Sequence, residues 1–188
     1  MMLALLCVLG MFSFPLGDNI KVSLQLFVVF LIALIAKSFI DAVAVTGCYL
    51  LLGLFLPIYA GFTVGVSPTF GYVIAFVVIC PIIHFMNKIP KIHPLPRMAI
   101  ACVTGLLVCY AIGTVFMMAY LSRWDLGKML LITVVPYLPF DAAKIVVATL
   151  IVYLLPPFIT GIEKKRKTTP KEPQETADKP SEAEEERQ

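Results

Sequence analysis

Charge is what this sequence has least of. Only 14% of its 188 residues are charged, against 60% hydrophobic, and the mean hydropathy is +0.92. Soluble globular domains carry about 25% charged residues, so the chain lacks the polar exterior that water requires and reads as an integral membrane protein. Residues 1–161 hold eight basic side chains (Lys21, Lys37, Lys88, Lys91, Arg97, Arg123, Lys128, Lys144) and four acidic ones (Asp18, Asp41, Asp125, Asp141). All other charges fall in residues 162–188. The net charge of +3 therefore marks no nucleic-acid surface, because no basic stripe interleaved with aromatics exists to make one.

Energy-coupling and catalytic signatures are missing as well. Without G-x-x-x-x-G-K-[ST], the chain cannot hydrolyse ATP by the P-loop route; any uphill movement of a substrate would draw on partners or an ion gradient. H-E-x-x-H, G-x-S-x-G and a Ser/His/Asp arrangement are absent too, which argues against an enzyme. The five cysteines (Cys7, Cys48, Cys80, Cys102, Cys109) lie in apolar segments, form no C-x-x-C pair and are odd in number. They are expected to be buried free thiols, with no metal site and no disulfide. No lipoprotein signal is expected at Cys7, since Leu6 stands where a small residue is needed.

What the sequence does contain is six apolar runs. The first is residues 1–14, short of the roughly 20 residues a helical span needs, so that either the run extends to Leu16 or residues precede the start at Met1. The others are Val22–Ala36, Ile40–Pro57, a run from Phe62 or Phe70 to Phe85, Met98–Leu121, and Phe140 to about Ile159. The expected fold is an all-α integral membrane protein of six transmembrane helices, with an irregular outward-facing loop between helices 3 and 4. Residues 1–161 form its membrane domain, and 162–188 a disordered, charged cytoplasmic tail. Lys37, Lys88, Lys91, Arg97 and the Lys164–Lys167 cluster share one side, so the positive-inside rule puts both termini in the cytoplasm. That cluster also suits anionic membrane lipid.

The densest local signal is Gly47–Phe76, where Pro57, Gly61, Gly65, Pro68 and Gly71 interrupt an otherwise apolar stretch. Backbone groups freed from helical pairing near a bilayer need protein, water or ligand as partners, because hydrocarbon supplies none. A second signal is Asp141 with Lys144, three residues apart and so on one helix face. Each costs about 2.5–3.5 kcal/mol at a span centre. Pro136 and Pro139 start this helix, placing Asp141 in its first turn, where the helix dipole favours a carboxylate. The pair suits a neutral ligand with N–H donors beside a carbonyl, such as a urea or amide; the alternative is an ion pair that only locks helices together. Asp41, close to Lys37, is read as an ordinary surface pair, and His84 and His93 as interfacial.

Six segments in order, VSLQ (22–25), CYLLLG (48–53), PIYAG (57–61), SPTFGYVIAF (67–76), LLVCYAIG (106–113) and VPYLPFDAAKIVVA (135–148), resemble motifs of the BioY family. BioY proteins are the biotin-specific substrate-binding (S) components of energy-coupling factor (ECF) transporters. The resemblance implies a six-helix protein of the bacterial cytoplasmic membrane that captures biotin from outside. It implies partners as well: a transmembrane coupling protein and two ATPase subunits. Biotin is ligand here, and no cofactor is implied. By the same resemblance Asp141, Lys144, Thr69, Tyr72, Gly61 and Gly71 would contact or cover biotin, with Gln25, Tyr49 and Tyr110 as further wall or packing residues. Phe70 and Phe140 stand where the family has glycine, and would narrow the pocket or restrict φ where glycine would be free. The first run shows Ala4 and Gly10 but no Ala-xxx-Ala spacing for docking on a coupling protein. Other readings remain: an S component for a different vitamin, a stand-alone permease, or a noncatalytic membrane scaffold.

Overall fold

A computed structural model describes residues 1–15, 21–89, 93–122 and 125–155. Among these, seven helices and one two-stranded hairpin follow in the order α1 (Met2–Met11), β1 (Ser13–Pro15), β2 (Lys21–Ser23), α2 (Gln25–Ile35), α3 (Phe39–Phe55), α4 (Phe70–Asn87), α5 (Pro94–Leu121), α6 (Leu126–Thr133) and α7 (Leu138–Leu154). The fold is mostly helical, and each of the six apolar runs overlaps a helix. Two features were not foreseen. The α1–α2 connection is an antiparallel ladder pairing Ser13 with Ser23, Phe14 with Val22 and Pro15 with Lys21; three residues a side are too few to show a period of two in sequence. A short helix, α6, also precedes the last one.

Local chemistry sets the helix ends. Ser38 caps α3 by accepting the Ile40 N–H at 3.3 Å. Helix α5 begins at Pro94, four residues before its apolar run, because proline's fixed φ and missing N–H are well suited to the first helical position. It ends at Ser122 in the left-handed conformation, φ 52°. Proline 139 occupies the first turn of α7, and Asp141 lies in that turn as expected.

Helix α2 is the centre of the bundle. Nine of its eleven residues are buried, as befits a helix that is apolar all round, and it packs on α1, α3, α4 and α7. The most extensive contact is between α4 and α5. Gly71 and Gly113 let these two approach: a Cβ at Gly71 would collide with Phe116, and one at Gly113 with the Tyr72 ring. Helices α4 (18 residues) and α5 (28 residues) are each long and apolar enough to cross a bilayer.

Several sequence expectations need adjusting. Cys80, Cys102 and Cys109 are buried, but Cys48 is exposed, since apolar side chains on the outside of such a bundle can face lipid as well as core. Asp41 is exposed in the first turn of α3 and, among the described residues, forms no ion pair with Lys37; the helix dipole is the favourable electrostatic field at that position. His93 is exposed, whereas His84 is buried. The tail after Gly161, Lys91 and Arg123 lie outside the described residues.

Candidate functional site

The Asp141 carboxylate is held from two helices. Tyr110 of α5 donates its hydroxyl to Asp141 Oδ2 at 2.6 Å, and Lys144 donates Nζ to Oδ1 at 2.7 Å. The Asp141 and Lys144 side chains are 6% and 11% exposed, so solvent screens this pair little. The two residues share a helix face because they are three apart on α7; Tyr110 reaches them because α5 packs on α7. Each carboxylate oxygen keeps a second lone-pair direction, and the ammonium keeps two further N–H donors. Acceptors and donors therefore stand side by side, the pattern a cyclic urea needs.

A second polar cluster organises the irregular segment between α3 and α4. Gln25, the first residue of α2, donates Nε2 to Tyr49 Oη at 2.9 Å, and Tyr49 donates to the Ile58 carbonyl at 2.9 Å. All three are buried. Gly10 of α1 passes directly over this group: a Cβ there would lie 2.7 Å from Tyr49 Oη. The small residue on α1 is therefore used inside the protein.

The loop itself is tied down at intervals. Gly61, at φ 74°, donates its N–H to Met11 O at 3.2 Å, and Gly65 to Gly53 O at 3.0 Å. Phe62 also adopts a positive φ, 59°. Tyr59 lays its ring over Gly53, where a Cβ would collide with it, and donates its hydroxyl to Leu50 O at 2.6 Å. Burial pushes the Tyr59 phenol up to about 12, so it stays protonated and a donor. A line of rings continues from Tyr49 to Tyr59 (5.6 Å), Phe70 (6.1 Å) and Phe116 (6.0 Å). Phe70 is thus a buried link between the loop and α5.

The candidate residues therefore divide into groups. Tyr110 joins Asp141 and Lys144; Gln25 joins Tyr49. Thr69, exposed at the start of α4, has its hydroxyl 3.1 Å from that of Ser67, and Gly71 faces Phe116. Gly61 braces the loop against α1. Tyr72 is set on Gly113, and its buried hydroxyl has no hydrogen-bond partner among the described residues. Thr114, not singled out in the sequence, is buried on α5, and its Oγ1 has no hydrogen-bond partner among the described residues. Its spacing of four from Tyr110, which puts both on one helix face, was the available signal.

Comparison with solved structures shows the fold. The chain superposes on a crystal structure described as the S-component for biotin from an ECF-type ABC transporter, with a TM-score of 0.69, 22% identity, and coverage of 80% of this chain and 84% of that one. The sequence comparison goes further. The BioY family model matches residues 1–160, and the biotin transporter BioY of Thermotoga maritima is 33% identical over 152 residues, covering 79% of this chain and 87% of that protein. The chain belongs to the BioY family, a family of integral membrane proteins.

Proposed function

We propose that this protein is the substrate-binding subunit of an ECF-type biotin transporter. It binds biotin and is not itself an enzyme. The observation that carries the reading is the Tyr110–Asp141–Lys144 group, with Asp141 buried between its two donors, in a BioY-family chain. Biotin's ureido ring presents N–H donors to the free lone pairs of Asp141 and a carbonyl to the remaining N–H groups of Lys144. Holding donors and acceptors in place before the ligand arrives lowers the cost of ordering them on binding.

In this reading six helices, α1 to α5 and α7, cross a bacterial cytoplasmic membrane, with both termini in the cytoplasm and residues 1–161 as the membrane domain. The 56–69 loop faces outward and covers the ligand. A transmembrane coupling protein and two ATPase subunits supply the energy for release inward. Calorimetry on the detergent-purified protein tests the first step. Tight, saturable heat with biotin is expected, and Asp141→Asn should weaken it about tenfold or more, the cost of losing a charge-assisted hydrogen bond. No heat with biotin would reject the reading, and unchanged affinity in Asp141→Asn would take that residue out of the site.

A further inference from the structure

The end of the bundle remote from Asp141 carries cations that the biotin reading does not use. Lys88 is exposed just past α4, His93 is exposed immediately before α5, and Arg97 lies in the first turn of α5. The Phe39 ring, at the start of α3, is 5.3 Å from that of Phe85, and the Tyr153 ring, near the end of α7, is 6.2 Å from that of His93. The α2–α3 turn, with exposed Lys37, therefore meets the α4–α5 turn at this end. Asp41 is the acidic side chain here, and among the described residues no carboxylate pairs with Lys37, Lys88 or Arg97.

Arg97 is held in place rather than left free in water. Its Nη1 donates to the Ile89 carbonyl at 3.0 Å, tying the first turn of α5 to the end of α4, and its Nε is enclosed with no acceptor among the described residues. A guanidinium offers its N–H donors in a rigid plane that matches a phosphate, so the bond to Ile89 fixes that plane and leaves further donors for a second partner. Pro94 and Pro96 remove two of the N–H groups that a helix start leaves free. An anion arriving here therefore meets the side chain more than the backbone.

The surface beside Arg97 is apolar. Pro96, Ile100, Val103 and Leu107 are exposed and three or four residues apart, so they form a strip along one face of α5. With 28 residues at 1.5 Å each, α5 is about 42 Å long, more than the roughly 30 Å of a hydrocarbon core, so its ends reach the headgroup layers.

We infer that Arg97, with Lys88 beside it, binds the phosphate of an anionic phospholipid whose acyl chain lies along Ile100, Val103 and Leu107. A soluble phosphate offers the same charge and the same oxygens, but it would leave the apolar strip unused. Arg97 is about 20 Å along α5 from Tyr110, so this site is separate from the Asp141 group and does not depend on what that group binds.

Thermal-unfolding titrations of the detergent-purified full chain with dioleoyl-phosphatidylglycerol, dioleoyl-phosphatidylcholine and sodium phosphate test the site. Wild type should bind the anionic lipid about tenfold more tightly than the zwitterionic one, and phosphate at the same concentration should give no shift. Arg97→Gln is expected to abolish the preference, and Lys88→Gln, an exposed change that keeps the test valid if Arg97→Gln unfolds, to reduce it about fivefold. Lys37→Gln removes the same charge at the same end and should keep it. A preference that survives both Arg97→Gln and Lys88→Gln would assign it to charges elsewhere, such as Lys164–Lys167, and overturn the site. Equal losses in all three variants would overturn it too, being the mark of diffuse surface charge. Equal stabilisation by the two lipids would rule out headgroup recognition, and a matching shift with phosphate alone would make the ligand a soluble anion instead of a lipid.

Discussion

Asp141 is bound on both oxygens, by the buried Tyr110 and by the partly buried Lys144, and this decides what single substitutions there should do. Removing one member of a buried ion pair leaves an uncompensated charge and costs about 3–5 kcal/mol, whereas replacing both members by apolar groups is often neutral. Lys144→Met is therefore expected to lower the melting temperature of the purified protein strongly. Asp141→Asn combined with Lys144→Met should recover most of that loss yet bind no biotin. A double variant that stays as unstable as Lys144→Met would mean that the pair is worth more to the fold than its charges explain. Tyr110→Phe should cost about 1–3 kcal/mol, because Asp141 Oδ2 loses its donor. The Asp141–Lys144 pair was legible because both charges sit on one short stretch of sequence. Tyr110 lies 31 residues from Asp141, and no local pattern links them. The family resemblance selected it, and the packing of α5 on α7 supplied the reason.

At the scale of helices and loops, glycine carries two different messages. Gly61 needs its positive φ, as a turn-rich sequence suggests. Gly71 lies inside the first turn of α4 and is small because Phe116 fills the space beside it. Gly71→Ala is thus expected to destabilise by about 1–3 kcal/mol through overpacking. Gly71→Ala with Phe116→Ala should cost less than the sum of the two single changes, which a thermal-unfolding cycle would measure. Additive costs would show that the two residues do not share that space. The loop has its own test. Tyr59→Phe deletes the bond to Leu50 O, and residues 56–69 should then be cut faster by protease while the helices stay resistant; an unchanged cleavage rate would assign the anchoring to the ring on Gly53. Helix positions were readable from hydrophobic runs and proline placement. The β1–β2 hairpin and the ring line from Tyr49 to Phe116 were not, since both depend on which segments meet in three dimensions.

For the whole molecule the outstanding question is how the bundle sits in the bilayer, and α4 is the helix that answers it most directly. Eighteen residues at 1.5 Å each give about 27 Å, close to the roughly 30 Å of a hydrocarbon core. Phe62, exposed in the loop before α4, and Lys88, exposed at its end, should therefore lie on opposite sides. The basic residues choose which side is which: Lys88, Lys91 and Arg97 cluster beyond the end of α4, and cytoplasmic loops are the ones enriched in Lys and Arg. In a variant whose five cysteines are replaced, Phe62→Cys is expected to react with an impermeant maleimide added to intact cells. Lys88→Cys should react only after the membrane is opened. Cys48 is the native thiol that most needs replacing, being exposed on α3. The reverse pattern would turn the loop toward the cytoplasm and make capture of biotin from outside impossible by this route. Labelling of both sites in intact cells would mean that α4 does not cross the bilayer, so that the ends of the Asp141 site could not be assigned to opposite sides of a membrane.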